Sequence, residues 1–273
     1  MRTLFNLKFY IFLAIVLFCV SCSDDKTVTD SKIDASKVIE ESGVLSTSSR
    51  QLLANEVRKN DADFVLFTYF NTDETLNSHV LAPFTSGGAF GISCDKDLTT
   101  EISLNDVALT ATSPLVFPGY YYSEAWDLSK NYYSLPAAWK ITHAAQTLEI
   151  NSKFQDSIYR VTISNIKNDS ISTSKSLYIN WTKSENADNS TYISFDCYPT
   201  FSDAEFAKSY GCVKSEDTGL YMTELSYLSS LDLPKYGVLQ VNVLRYNTEI
   251  ETIGNYKILK LNAAESSVCL YLK

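Results

Sequence analysis

Relay catalysis and metal cages both draw on histidine, and His79 and His143 are the only two in the chain. A nucleophile relay or a histidine metal cluster would need one or both, and neither lies in a nucleophile or ligand motif. His79 opens one strand-like run and His143 follows just after another, positions where a histidine usually meets the surface. No Gly-x-Ser-x-Gly occurs, and the stretch SGGAFG (Ser86 to Gly91) lacks the lysine of a phosphate loop. Its glycines read as serving a turn or bulge that needs positive φ. A glycosidase needs two carboxylates held about 5 to 9.5 Å apart across a sugar bond, and sequence spacing singles out no such pair. CDKD (Cys94 to Asp97) and NTDE (Asn71 to Glu74) offer loop oxygens to calcium but lack the Asp-x-Asp-x-Asp-Gly order, so solvated turns are the expectation. No catalytic residue, metal or cofactor is assigned.

Cysteine offers the next chemistry. Cys94, Cys197, Cys212 and Cys269 are widely spaced without a Cys-x-x-Cys, which leaves no zinc motif. An even number in an exported chain permits disulfides. Cys197 and Cys212 are the nearest in sequence and form the favoured pair. The competing expectation is that several are small buried apolar residues, as Cys269 within VCLYL suggests.

The densest local feature is aromatic. FPGYYYSEAWDLSKNYY, from Phe117 to Tyr133, gathers Tyr120, Tyr121, Tyr122, Trp126, Tyr132 and Tyr133 among turn formers. Exposed rings stack on sugar faces and anchor protein interfaces while their polar tips stay wet. The alternative is that alternate rings turn inward and close the end of a sandwich.

The N-terminus decides where this chemistry would be used. Arg2 and Lys8 precede an uncharged run from Phe9 to Val20. That run is too short for a hydrocarbon core, which needs about 20 apolar residues, but suits an export signal. With Leu17, Val20 and the small Ser21 ahead of Cys22, the segment resembles a bacterial lipoprotein signal, which implies cleavage after residue 21 and a lipid on Cys22. Ser23, Asp24, Asp25 and Lys26 then resemble the acidic tag that directs Bacteroidota lipoproteins to the outer face of the outer membrane. Asp156-Ser157-Ile158 and Asp169-Ser170-Ile171 resemble the O-glycosylation acceptor of the same group.

The elements that must hold these residues come next. The formal net charge is −9, and no basic stripe offsets it, so a nucleic-acid partner is not expected. Residues 22–60 are polar and read as a tether. Leu52, Leu53 and Val57 allow a short helix there, at Ala35 to Glu41 or Ser49 to Lys59, stable only if docked. Beyond Asp61, β-branched and aromatic runs alternate with polar turns, as in FVLFTYF, ISLNDVAL about Asn105-Asp106, AWKIT, SLYINWT, TYISFDCY and GVLQVNVLRYN. YKILKLN and SVCLYLK read as two further strands, and AEFAKSYG as a short helix stopped by Gly211. The expected fold is all-β: two antiparallel immunoglobulin-like β-sandwich domains in tandem behind the flexible lipoprotein tether. The domains would span 61–165 and 166–273, divided at IKNDSISTSK, with one larger sandwich as the alternative.

In order along the chain, ISLNDVAL, the Trp139 strand, INW (Ile179 to Trp181), the segment SEDTGLYMTELSYLSSLDLPKYG and the Arg245-bearing QVNVLRYN resemble Bacteroidota surface lipoproteins with immunoglobulin-like domains. The resemblance implies a membrane-anchored protein, exposed at the cell surface and non-enzymatic, that presents its domains to a glycan or to another envelope protein. A carbohydrate-active hydrolase with paired carboxylates, and a subunit of an outer-membrane transport or assembly complex, remain the alternatives.

Overall fold

The computed structural model describes residues 33–42, 44–74, 84–94, 100–111, 120–124, 137–153, 161–166, 170–171, 175–184, 190–199, 208–224, 226–234 and 237–272. Two helices come first, α1 (Ala35–Glu41) and α2 (Thr47–Arg58). The strands of the first half are β1 (Phe64–Glu74), β2 (Phe84–Ser93), β3 (Glu101–Leu104), β4 (Val107–Ala108), β5 (Thr110–Ala111), β6 (Tyr120–Glu124), β7 (Ala137–His143), β8 (Gln146–Ser152) and β9 (Thr162–Ile163). The second half adds β10 (Ser170–Ile171), β11 (Tyr178–Asn180), β12 (Ser190–Tyr198), β13 (Lys208–Glu216), β14 (Leu220–Met222), the single turn α3 (Tyr227–Ser230), β15 (Gly237–Ile253) and β16 (Tyr256–Leu272).

The protein is mostly β, and its frame is one large sheet in the order β13-β12-β15-β16-β1-β2-β6-β5, with β10 beside the end of β16. Most neighbours are antiparallel, but β1 and β16 run parallel, from Phe64 opposite Ile258 to Glu74 opposite Val268. The sheet carries a core on each face. Along β1, Phe64, Leu66 and Phe70 enter one core while Val65, Phe67 and Tyr69 enter the other. Burial on both faces is why FVLFTYF is apolar throughout instead of alternating.

One face is covered by the helices. Val38, Ile39, Leu53 and Val57 pack on Val65, Phe67, Phe90, Leu244 and Leu261. Polar anchors fix the start of α2. The Ser46 amide and hydroxyl donate to Glu265 on β16 at 2.7 and 2.6 Å, and the Ser49 hydroxyl donates to the same carboxylate. The Ser48 amide donates to Asp196 on β12 at 3.2 Å, joined by its own hydroxyl. A helix N-terminus presents unpaired N–H groups and a positive dipole end, so two buried acids beneath it are well placed. Asp196 also accepts from Asn242, whose side-chain oxygen accepts from Ser267. Residues 33–60 are therefore folded onto the sheet. The tether expected over 22–60 is corrected there, because docking supplies the burial that an isolated short helix lacks; residues 22–32 lie outside the described residues.

The opposite face carries two smaller sheets, β4-β3-β7-β8 and β14-β11-β9. The first joins two hairpins through β3 and β7, and their Asn105-Asp106 and Ala144-Ala145 turns have positive φ at both central residues, the geometry that matches hairpin twist. It lies close on β2: a Cβ added at Gly91 would come within 2.7 Å of Ile102 Cδ1. The glycine expectation is corrected accordingly, since Gly91 sits within β2 and is required by the approach of a second sheet, not by a turn. The second small sheet is tied down by a buried ion pair. Arg245 Nε on β15 lies 2.7 Å from Asp217, with both side chains at 3 % exposure or less. Asp217 also accepts from Trp181 Nε1 at 2.7 Å and the Ser184 amide at 3.0 Å, and Arg245 Nη2 donates to the Thr182 carbonyl at 2.9 Å. INW, SEDTG and QVNVLRY, far apart in sequence, thus meet at one point.

This arrangement also corrects the expected tandem division at 165/166. β1 and β2 from the first half share a sheet with β12, β15 and β16 from the second, and residues 32–273 form one compact unit. The stretch taken as a boundary contributes β10, where Ser170 and Ile171 pair with Tyr271 and Leu272. AEFAKSYG is likewise corrected over its described part. Lys208 to Gly211 belong to β13, where Tyr210 packs toward the core and Gly211 pairs with Phe195 beside a bulge.

Candidate functional site

On the face that carries the smaller sheets, hydrogen-bonding side chains interrupt the apolar core. Thr68 on β1, Asn262 on β16 and Asn247 on β15 stand side by side in register. Thr68 Oγ1 donates to Asn262 Oδ1 at 2.6 Å, and Asn262 Nδ2 donates to Asn247 Oδ1 at 2.9 Å. Each amide is thereby fixed in one orientation. Next on β16, Lys260 is buried to 3 % exposure of its side chain, and its ammonium contacts Glu249 at 2.9 Å and Glu251 at 3.1 Å. It also donates to the Asn151 carbonyl at 3.0 Å, which stitches β8 to the large sheet. Three acceptors around three N–H donors satisfy this buried cation.

Above this layer lies a cleft of about 550 Å³, lined by Asn151, Ser152, Lys153, Asn247, Thr248, Glu249 and Asn262. Ser152 is 5 % exposed, and its hydroxyl has no hydrogen-bond partner. Buried polar groups are seldom left in that state, so this hydroxyl marks the lining as unsaturated. The cleft therefore offers amide, hydroxyl, ammonium and carboxylate groups together, on strands whose side chains hold one another in place. Such a surface is equipped to read a ligand rich in hydroxyl or amide groups by direct hydrogen bonds.

The sequence pointed elsewhere. Tyr120, Tyr121 and Tyr122 form β6, paired with Ile92, Gly91 and Phe90 of β2. In the large sheet β6 is separated from β15 by β2, β1 and β16. Trp126, Tyr132, Tyr133, Cys22, His79 and the loop 95–97 lie outside the described residues. His143 ends β7 and is buried there, 2.6 Å from Thr100 Oγ1 and edge-on to Phe64 and Tyr256, which corrects the surface reading. Cys197 and Cys212 are free thiols on adjacent strands, and the expected disulfide is corrected by register. Cys197 pairs with Lys208 and Cys212 with Ser194, and the two side chains leave opposite faces of the sheet. Cys212 is exposed at the sheet surface, yet desolvation by its neighbours, with Asp196 nearby, raises its thiol to about 11, so it stays protonated at neutral pH.

No sequence motif marked the cleft. The available signal was polar residues within otherwise apolar strands, Lys260 and Asn262 in YKILKLN and Asn247 in VLRYN.

The buried acids on the two faces titrate in opposite directions. Burial alone would raise Asp217, but hydrogen bonds from Arg245, Trp181 and the Ser184 amide outweigh it and hold the carboxyl below its ordinary value. Burial raises Asp196 despite the bonds from Ser48 and Asn242. A depressed folded value adds stability above the unfolded aspartate value of about 3.9, and that stability is lost as pH falls through the folded value. A raised folded value does the reverse, so its contribution fades as pH climbs above about 3.9. Relative to the parent, Asp217→Asn is therefore expected to lose more stability at pH 7 than at pH 3. Asp196→Asn is expected to fare comparatively better at pH 7 than at pH 3. Urea unfolding of both variants at the two pH values checks this, and parallel shifts would contradict it.

No protein-family model matches the chain, and no curated protein is significantly similar to it.

Proposed function

We propose that the chain is a lipid-anchored cell-surface protein that binds a hydroxyl-rich ligand, a glycan, in the cleft between β8 and the β15–β16 hairpin. The observation that supports this most directly is the cleft lining: Asn151, Asn247, Asn262, Thr248 and Lys153 around the unsatisfied hydroxyl of Ser152. Sugar recognition depends on many hydrogen bonds of fixed direction, and the Thr68–Asn262–Asn247 chain supplies that fixity. The anchor would be the acylated Cys22, with residues 23–32 linking it to α1. The resemblance to surface lipoproteins stays within this proposal, while its tandem immunoglobulin-like division does not, because strands of both halves share one sheet.

A glycan array probed with the purified chain tests the reading. Asn247→Ala and Lys153→Ala each remove an exposed lining group. Each is expected to weaken retention on the best glycan about tenfold, the effect of one lost hydrogen bond of about 1.4 kcal/mol. Equal retention by parent and variants would end the glycan reading. Mass mapping of the N-terminal peptide tests the anchor separately, since recovery of an unmodified Cys22 in native membranes would remove it.

A further inference from the structure

We propose that the outer half of β15, from Tyr246 to Ile253, is a docking edge for an extended segment of another polypeptide that carries basic side chains at alternate positions. This goes beyond the cleft reading: it uses the backbone of β15, and shares Asn247, Thr248 and Glu249 with the cleft lining.

β12 accompanies β15 only as far as Arg245, opposite Thr191. From Tyr246 onward β15 is paired with β16 on one side, out to Ile253 opposite Tyr256, and among the described residues no strand pairs with it on the other. The strand nevertheless stays regular to its end and so presents a row of backbone donors and acceptors to solvent. Proteins usually blunt such edges with lysines, prolines or bulges. β13, at the margin of the same sheet, shows these devices: Lys208, Lys214 and the register shift opposite Phe195 and Asp196. The sequence YNTEIETI has no lysine, proline or bulge, and its only charges are the two glutamates Glu249 and Glu251. It combines β-branched residues with an Ile250 side chain that is 48 % exposed, a composition suited to accepting a neighbour.

Charge specifies the neighbour. Glu249 and Glu251 project to the same face, at 65 % and 39 % side-chain exposure, with Lys260 between them as the shared cation. The two carboxylates outnumber the one ammonium they share, with Lys153 across the cleft the further cation on this face, on a chain whose formal charge is −9. An added strand would set its alternate residues over Glu249 and Glu251 on one face and over Ile250 on the other. Basic residues complement the first row and apolar residues the second. A second copy of this chain would bring glutamates against glutamates.

Amide hydrogen exchange on the full chain tests the proposal, with a synthetic peptide of alternating valine and lysine as probe and its valine–glutamate counterpart as control. The lysine peptide is expected to slow exchange across 246–253 and to bind at least about tenfold more tightly than the glutamate peptide. Ile250→Lys, an exposed substitution away from the cleft lining, is expected to weaken the lysine peptide about tenfold while Lys153→Ala, in the cleft but off the edge, leaves it within about twofold. Unchanged exchange at 246–253 would overturn the proposal, as would equal binding of the two peptides. Protection of the same amides that grows with protein concentration alone would assign the edge to self-association and would also overturn it. Failure on the glycan array leaves these outcomes untouched.

Discussion

Arg245→Met is expected to cost about 3–5 kcal/mol of folding stability, the largest effect of any single polar substitution considered. The loss follows from what stays behind. Asp217 would remain buried beneath the β14-β11-β9 sheet with its charge uncompensated, keeping only the Trp181 and Ser184 donors. The guanidinium also holds the Thr182 carbonyl, so the segment after β11 would lose its tie to β15. Equilibrium unfolding in urea measures the change. The double variant Arg245→Met, Asp217→Leu should recover much of it, because a buried pair replaced by apolar groups of similar volume is often neutral. A loss below about 1 kcal/mol for the single variant would mean that the pair behaves as a surface contact.

Leu53→Ala is expected to cost about 2–5 kcal/mol. Leu53 is fully buried beneath α2 against the large sheet, and truncation leaves a cavity that the neighbouring strands are too well packed to fill. The number separates two pictures of residues 33–60. In a tether, the same substitution would fall within about 0.5 kcal/mol of zero, as exposed substitutions do. Limited proteolysis gives a second readout, since a loosened α1–α2 layer should be cut ahead of the sheet.

Much of the β architecture was legible because its residues announce their surroundings. Phe64 to Phe70 had to be a buried strand, Asn105-Asp106 had to turn, and Leu52, Leu53 and Val57 marked a helix within a polar stretch. What the sequence hid was partnership. Asn262 to Ser267 looked like a polar break between two strands, yet β16 runs through it unbroken. Its polar side chains each meet a partner: Asn262 with Thr68 and Asn247, Glu265 with Ser46 and Ser49, Ser266 with the Val161 amide, and Ser267 with Asn242. Those partners come from four separate segments, and local pattern carries no trace of them. The same blindness produced the division at 165/166, because a parallel pairing between β1 and β16 has no turn to signal it. The glycines of β2 misled for a related reason: Gly91 answers to Ile102 on another sheet, not to its own backbone.

The candidate site was harder still. Tyrosines and tryptophan drew attention to Phe117 to Tyr133, since aromatic rings are conspicuous wherever they stand. The cleft is assembled from ordinary asparagines, a serine and a lysine, brought together by the register of β8, β15 and β16. Only the placement of charge within apolar strands, Lys260 above all, hinted at it.

The side-by-side position of β1 and β16 also bears on how the protein is made. The first strand of the large sheet finds its parallel neighbour only in the last 17-residue strand. Until β16 is in place the polypeptide lacks the middle of its own frame, and neither core can shut. Closure between such remote stretches is slow, so the chain stays slack until they meet, and truncation within β16 should be punished out of proportion to the number of residues removed.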